Sequence, residues 1–351
     1  MMKKKAAAAA LLALALLLAV PGVTFAADSS AASGSAVTKS TKTVQVKTTG
    51  EGVITLKAAA DTVVTTTIPG EEQYNMNNHF LDHQAHFIGF RITDKTPKTY
   101  TVSGDISDVS FCPVGGRAVT AGSTVLVGTR STEGIEYEVD HFTFKAPSDG
   151  WIKVIPSGFE KGDEPYFNSQ LALNGKNISS SDLFDTFPNS ASPYRAYGVR
   201  KGLNYTIRIK PAETLFPVFA YKFRVTFKSV PSSRYHSSKK AKAMKAKKKY
   251  KGTIAAGSKT QDWYKFKVKK RKSIDVTVFG ETNNSLNVVV RHKHKGKTHK
   301  YIAAISPYSY GRKKIHISAK KYTGISTKGT WTVQVCRANR GSSGYYELSW
   351  R

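Results

Sequence analysis

Gln261-Asp262-Trp263-Tyr264-Lys265-Phe266-Lys267-Val268 alternates with a period of two. Tyr264, Phe266 and Val268 fall on one side, and Trp263, Lys265 and Lys267 on the other. A strand sorts such a sequence into an aromatic inner face and a basic outer face, whereas a helix would scatter it. Val139-Asp140-His141-Phe142-Thr143-Phe144-Lys145-Ala146 repeats the arrangement, with Asp140, Phe142 and Phe144 in the places of Asp262, Tyr264 and Phe266. The chain reads as tandem copies of one β unit.

Two more segments follow each copy in the same order. Lys201-Gly202 introduces Leu203-Asn204-Tyr205-Thr206-Ile207-Arg208-Ile209, and Lys328-Gly329 introduces Thr330-Trp331-Thr332-Val333-Gln334-Val335. Each is a turn followed by an alternating strand, as antiparallel sheets require. The copies close on Phe223-Arg224-Val225-Thr226-Phe227 and Tyr346-Glu347-Leu348-Ser349-Trp350. Matched segments in one order define an internal repeat. Gly252-Thr253-Ile254, Asp262-Trp263-Tyr264-Lys265-Phe266, Gly329-Thr330-Trp331-Thr332-Val333 and Gly344-Tyr345-Tyr346-Glu347-Leu348 resemble the bacterial pre-peptidase C-terminal domain, a small β-sandwich of secreted proteins. The resemblance covers residues 250–351 and, more loosely, 121–230. It implies a non-catalytic accessory module, often attached to a secreted peptidase, although no peptidase motif accompanies it here.

The N-terminus reads as a secretory signal: a basic start through Lys5, an apolar run from Ala6 to Val20, a Pro21-Gly22 break, and cleavage after Ala26. No later apolar run reaches membrane length, so no transmembrane segment is expected. The mature chain is expected to be exported, extracellular or held at the cell wall of a Gram-positive bacterium. The expected fold is all-β, built of tandem antiparallel β-sandwich (jelly-roll-like) domains after the cleaved signal peptide. The expected boundaries are a signal peptide at 1–26, a disordered linker at 27–42 and a degenerate sandwich unit at 43–120. A sandwich unit at 121–230, a Lys-rich linker at 231–249 and a basic unit at 250–351 follow. Alternatively, residues 43–230 form one larger sandwich. In the degenerate unit, His86-Phe87-Ile88-Gly89-Phe90 is aligned with the aromatic strand.

Charge divides the chain. Residues 28–238 carry 22 Lys and Arg against 20 Asp and Glu, whereas residues 239–351 carry 29 against 4. Dense like charge repels itself, and a polyanionic partner relieves that repulsion. Nucleic acid is one such partner, but export points instead to an anionic cell-wall or surface polymer. The candidate polyanion-binding residues are Lys245, Lys247, Lys248, Lys249, Lys269, Lys270, Arg271, Lys272, Arg291, Lys293, Lys295, Lys297, Arg312, Lys313 and Lys314. The plainer reading is a solvated, soluble surface and an extended tether.

Other residue patterns suggest alternatives. His79, His83 and His86 have a spacing that would share one helix face and could ligate zinc, which makes a metal-dependent hydrolase one alternative function. The plainer reading is a His-rich surface loop. Asp140 and Asp262 each open an aromatic strand and are candidates for a calcium site or a turn cap. Tyr301, Tyr308 and Tyr310 are candidate glycan-stacking residues, with Trp151, Tyr194 and Tyr197 also in loop-like sequence. They support a second alternative, an extracellular carbohydrate-binding module, and leave a glycan or protein as a further candidate ligand. Cys112 and Cys336 are expected to be free thiols. No nucleophile elbow, phosphate-binding glycine loop or Cys-x-x-Cys pair is present. The expected function is therefore non-catalytic binding and attachment, with no required cofactor.

Overall fold

The computed structural model describes residues 41–59, 62–69, 73–75, 86–129, 137–159, 166–184, 193–212, 220–231, 233, 235–269, 273–308, 312–319 and 326–351. The expected signal peptide and most of the expected N-terminal linker lie outside the described residues. The described chain is all-β, with 25 strands and no helix. No helix among the described residues is long and apolar enough to cross a membrane.

The strands form three pairs of sheets. In the first, β1 (Lys42–Lys47), β6 (Thr99–Gly104) and β3 (Thr65–Thr66) make one sheet in the order β1-β6-β3. The other contains β4 (Gln73–Asn75), β5 (His86–Ile92), β2 (Gly52–Ala58) and β7 (Ile106–Pro113), in the order β4-β5-β2-β7. The second pair holds β8 (Thr124–Gly128), β9 (Asp140–Lys145), β10 (Gly150–Ser157), β11 (Tyr166–Leu173), β12 (Lys176–Asn177), β13 (Asp182–Phe184), β14 (Arg195–Val199), β15 (Asn204–Ala212) and β16 (Ala220–Ser229). Its sheets run β14-β10-β16-β8 and β12-β11-β15-β9, with β13 also on β11. The third pair holds β17 (Lys242–Ala243), β18 (Tyr250–Ile254), β19 (Asp262–Val268), β20 (Ser273–Thr282), β21 (Leu286–His294), β22 (Lys297–Ile305), β23 (Lys313–Ser318), β24 (Gly329–Arg337) and β25 (Gly344–Trp350). Its sheets run β23-β20-β25-β18 and β22-β21-β24-β19-β17.

These orders repeat. Replacing β8, β9, β10, β11, β14, β15 and β16 by β18, β19, β20, β21, β23, β24 and β25 turns the second pair's topology into the third's. The first pair follows the same plan, with no counterpart of β8 among the described residues. Its β5-β2-β7 matches β14-β10-β16, and its β1-β6-β3 matches β9-β15-β11. This corrects the sequence alignment of His86–Phe90. That segment lies in β5, the counterpart of β14, and the true counterpart of the aromatic strand is β1, with Val44 and Val46 packed inward. Aromatic content misled here, because strand position is set by pairing and β1 uses valine for its inner face.

The lysine-rich stretch is also corrected. Lys242 and Ala243 form β17 and pair in parallel with Tyr264 and Lys265 of β19. The Met244 N–H donates to the Lys265 carbonyl at 2.8 Å, and the Met244 side chain, 6% exposed, joins the third core. The second pair has the same feature: Ala118 bridges Thr143 in parallel, the Val119 N–H donates to the Thr143 carbonyl at 2.9 Å, and Val119 joins the second core. Alternation hides such a segment, since only one residue in it needs to be apolar.

Each core draws residues from both facing sheets. Phe142 stacks on Phe223 at 4.3 Å in the second, and Phe266 stacks on Trp350 at 4.3 Å in the third. Burying one such ring stabilises by about 1.5–3 kcal/mol. Lys201-Gly202 is a turn, with Gly202 at φ +77°, whereas Gly329, at φ +126°, already opens β24; a side chain would be strained at either. The second and third pairs pack through Trp151 stacked on Tyr345 at 5.2 Å and the Ala256 N–H bonded to the Gly198 carbonyl at 2.9 Å.

Candidate polyanion-binding face

The register of the third pair's larger sheet places its outward residues in rows. Lys265 pairs with Thr332, Thr332 with Arg291, and Arg291 with Lys300. The next row runs from Lys267 to Thr330 on β24, and Lys293 pairs with Thr298 on the neighbouring strands. Lys265, Lys267, Lys293 and Lys300 are exposed and Arg291 is half-buried. The Arg291 guanidinium lies over the Trp263 ring, 5.2 Å from its centroid, so its stem is already ordered. The β21–β22 hairpin adds Lys297 and, at its two-residue turn, Lys295 and Gly296 with φ +47° and +78°. Such paired positive φ values suit the twist of a tight hairpin.

The only carboxylate on these five strands is Asp262, which is buried. None of Lys265, Lys267, Arg291, Lys293 and Lys300 has an ion pair among the described residues. Arg291 and Lys300 stand directly opposite each other, a destabilising like-charge pair.

The smaller sheet differs. Asp275, Glu281 and Glu347 are the remaining acidic residues of 239–351, and all lie on it. Asp275 meets His316 at 2.6 Å, Arg351 at 3.1 Å and Lys314 at 3.8 Å. Burial raises its pKa, but the bonds from His316 and Arg351 outweigh that and leave it below the ordinary carboxylate value. Glu347 accepts a bond from Tyr345 at 2.7 Å, the main cause of its lowered pKa, and meets Arg312 at 3.5 Å and Lys251 at 3.9 Å. Glu281 pairs with Lys153 at 3.4 Å and accepts a bond from Tyr194 at 2.5 Å, both in the second sheet pair.

The candidate cations therefore do not share one surface. Arg291, Lys293, Lys295 and Lys297 belong to the larger sheet and its hairpin. Lys245, Lys247, Lys248 and Lys249 are exposed on the turn after β17, and Lys269 is exposed just past β19. Arg312, Lys313 and Lys314 lie at or on β23 in the smaller sheet, where Arg312 and Lys314 meet carboxylates. Lys270, Arg271 and Lys272 lie outside the described residues. Lys265, Lys267 and Lys300 complete the face although the candidate set omits them. For Lys265 and Lys267, the period-two alternation of β19 was the available signal.

Of the candidate stacking residues, Tyr301 is not in a loop: it lies in β22 and packs against the core, 6.2 Å from Trp331. Trp151 and Tyr194 serve the junction between the second and third pairs, and Tyr197 is buried and bonded to Ser169 at 2.7 Å. Tyr308 is 57% exposed, and its hydroxyl accepts a 2.6 Å bond from the fully buried Arg195. Tyr310, His79 and His83 lie outside the described residues. His86 begins β5, and its side chain is not among those described. Among the described residues, no group of three His, Cys, Asp or Glu side chains could hold a metal ion.

Asp140 and Asp262 are internal anchors rather than open cation ligands. The Tyr221 hydroxyl, on the opposite sheet, donates to Asp140 at 2.7 Å, and Tyr346 likewise donates to Asp262. Burial raises the Asp262 pKa. Gly252 is dictated by this anchor, because a Cβ there would lie 2.3 Å from the Tyr346 hydroxyl. Cys112 and Cys336 are free thiols, and burial pushes the Cys112 pKa up to about 12.

No family model and no curated protein matches the chain. Among solved structures, tripeptidyl peptidase 2 aligns at 12% identity and a TM-score of 0.24, over 89% of this chain and 32% of that one. This chain thus spans about a third of that protein's length. The CUB1-EGF-CUB2 domains of human MASP-1/3 align at 8% identity and a TM-score of 0.18, over 65% of this chain and 99% of that one. Those of rat MASP-1 align at 8% identity and a TM-score of 0.19, over 67% and 99%.

Proposed function

We propose that this is a non-catalytic, exported binding protein whose third sheet pair attaches it to an anionic cell-wall or surface polymer. The observation that supports this best is the segregation of charge in that pair. Its carboxylates are buried or engaged on the smaller sheet, while the larger sheet presents five cations without a counter-ion among the described residues. A face that sets Arg291 directly opposite Lys300 costs stability in isolation, and a polyanion laid across it reverses the sign of that cost. A flat sheet face suits an extended polymer, whose repeating charges need no enclosing pocket. The resemblance to pre-peptidase C-terminal domains fits an accessory role, and the secretory N-terminus would bring the face to a wall.

The test is retention on purified cell wall as salt is raised, comparing the full mature chain with the K265E/R291E/K293E variant. The expected outcome is strong retention at low salt, steep release as the Debye length shrinks below about 8 Å, and loss of retention in the variant. Retention that survives the charge reversal would place attachment elsewhere. Among the described residues, the glycan-binding alternative rests on Tyr308, whose exposed ring is held by Arg195; it predicts salt-resistant binding that Tyr308→Ala weakens.

A further inference from the structure

A cleft of about 560 Å³ lies between the second and third sheet pairs. The second pair contributes Asn177, Ile178, Ser179 and Ser180; the third contributes Gly257, Lys259, Arg337, Arg340 and Gly341. Three of these side chains are cations, and none is a carboxylate. Among the described residues, none of the three makes an ion pair. Arg337 binds the Arg340 carbonyl through Nη1 at 2.8 Å, which ties its guanidinium to the 338–343 turn. Its pKa is lowered, first by burial and then by the charge of Arg340. Among the described residues, like charges are thus held together at the cleft without a counter-charge.

The walls are preformed. A Cβ on Gly341 would lie 2.4 Å from the Ser180 backbone nitrogen, so only glycine permits that approach. Gly257, at φ +71°, sits against Ile178, where a Cβ would lie 3.0 Å from its Cγ2. Asn284 donates to the Ser180 hydroxyl across the junction at 3.2 Å. Ligand binding here would need little reorganisation, which favours affinity from few contacts.

We propose that this cleft is a specific site for a phosphate group. Two guanidinium forks and an ammonium match a compact dianion with several acceptor oxygens, and arginine recognises such oxyanions through paired hydrogen bonds. Because residues from both sheet pairs line the cleft, a bound phosphate would also clamp the two pairs together. The group is carried either by a phosphoester or by free phosphate; the cleft chemistry is the same for both. The site shares no residue with the polymer-binding face, and each can fail without the other.

The test is calorimetric titration of the full mature chain with inorganic phosphate, and separately with glycerol 3-phosphate, against potassium chloride at matched ionic strength. The proposal expects saturable, single-site binding of at least one phosphate probe. Arg340→Gln and Lys259→Gln, both at exposed side chains and tolerable to the fold, should each weaken it about tenfold, the worth of one charge-assisted bond. Arg337→Gln should weaken it further, and K265E/R291E/K293E should leave it unchanged. Preference for glycerol 3-phosphate assigns the site to phosphoesters, preference for inorganic phosphate assigns it to the free ion, and equal binding shows that the phosphate group alone is recognised. Heat no different from the chloride control, or affinity that survives Arg340→Gln and Lys259→Gln, overturns the proposal.

Discussion

The second and third sheet pairs share one strand order, one parallel edge segment and one buried carboxylate–tyrosine anchor, yet they present different surfaces. On β9, β15 and β11 the outward side chains include His141, Thr143, Asn204, Thr206, Tyr166, Asn168 and Gln170, with Lys145, Arg208 and Lys210 dispersed among them. Arg208 is bonded to Asn177 at 2.5 Å. On the equivalent β19, β24 and β21 the outward side chains include Lys265, Lys267, Arg291 and Lys293, and the neighbouring β22 adds Lys300. Inward positions alone therefore fix the fold, and outward positions are free to take another task. In a sheet this separation is built in, because successive side chains point to opposite faces.

The comparison breaks most readily at the aromatic strand. Phe144→Ala and Phe266→Ala each remove a ring that is at most 3% exposed and should each destabilise by about 3–5 kcal/mol. Denaturant unfolding of the full chain measures both. Comparable losses mean that the two interiors are equivalent despite their different surfaces. A near-silent Phe144→Ala would mean that the second pair relies on its neighbours instead.

The edge segment gives a smaller and more discriminating effect. Met244→Ala should cost about 2 kcal/mol if Met244 closes the third core as Val119 closes the second. A lysine-rich tether would show no loss. Next are the anchors: Tyr221→Phe and Tyr346→Phe each remove one hydrogen-bond donor from a buried carboxylate, at a cost of about 1–3 kcal/mol. The two values should agree unless the third pair's extra Tyr264–Tyr346 bond, at 2.7 Å, shares the load; the triple contact would then make Tyr346→Phe the costlier change.

Much of this was legible in the sequence. The alternation in 261–268 and its echo in 139–146 gave the all-β class and the repeat, because period two follows from strand geometry whatever the partners. The basic excess in the last third was plain from composition. The separation of Lys265 and Lys293 from Lys314 was not, because it depends on which strands share a sheet, and strand order here jumps between sheets at nearly every connection. The same blindness placed Tyr301 in a loop and His86–Phe90 in the wrong sheet. The partner tyrosines of Asp140 and Asp262 lie 81 and 84 residues away, so no local pattern could have paired them.

The smallest predicted effect uses pH to separate the two sheets of the third pair. Asp275 and Glu347 have pKa values lowered from 3.8 and 4.5. Below those ordinary values the unfolded chain binds more protons than the native one, so their stabilisation is present above them and is lost as pH falls through the depressed native values. Asp262 has the opposite sign: its pKa is raised, so its contribution is greatest below 3.8 and declines as pH rises through the native value. The ion pairs of the smaller sheet are partly solvated, which keeps each contribution modest. An Asp275→Asn/Glu347→Gln variant should therefore lose stability slightly at neutral pH and show a shallower decline in unfolding midpoint between about pH 5 and about pH 3. The larger sheet has no exposed carboxylate to titrate, so its polymer binding should persist across the same interval, provided the polymer itself stays ionised. Binding that fell in step with the ionisation of Asp275 and Glu347 would mean that the smaller sheet, with its compensated cations, carries the attachment surface.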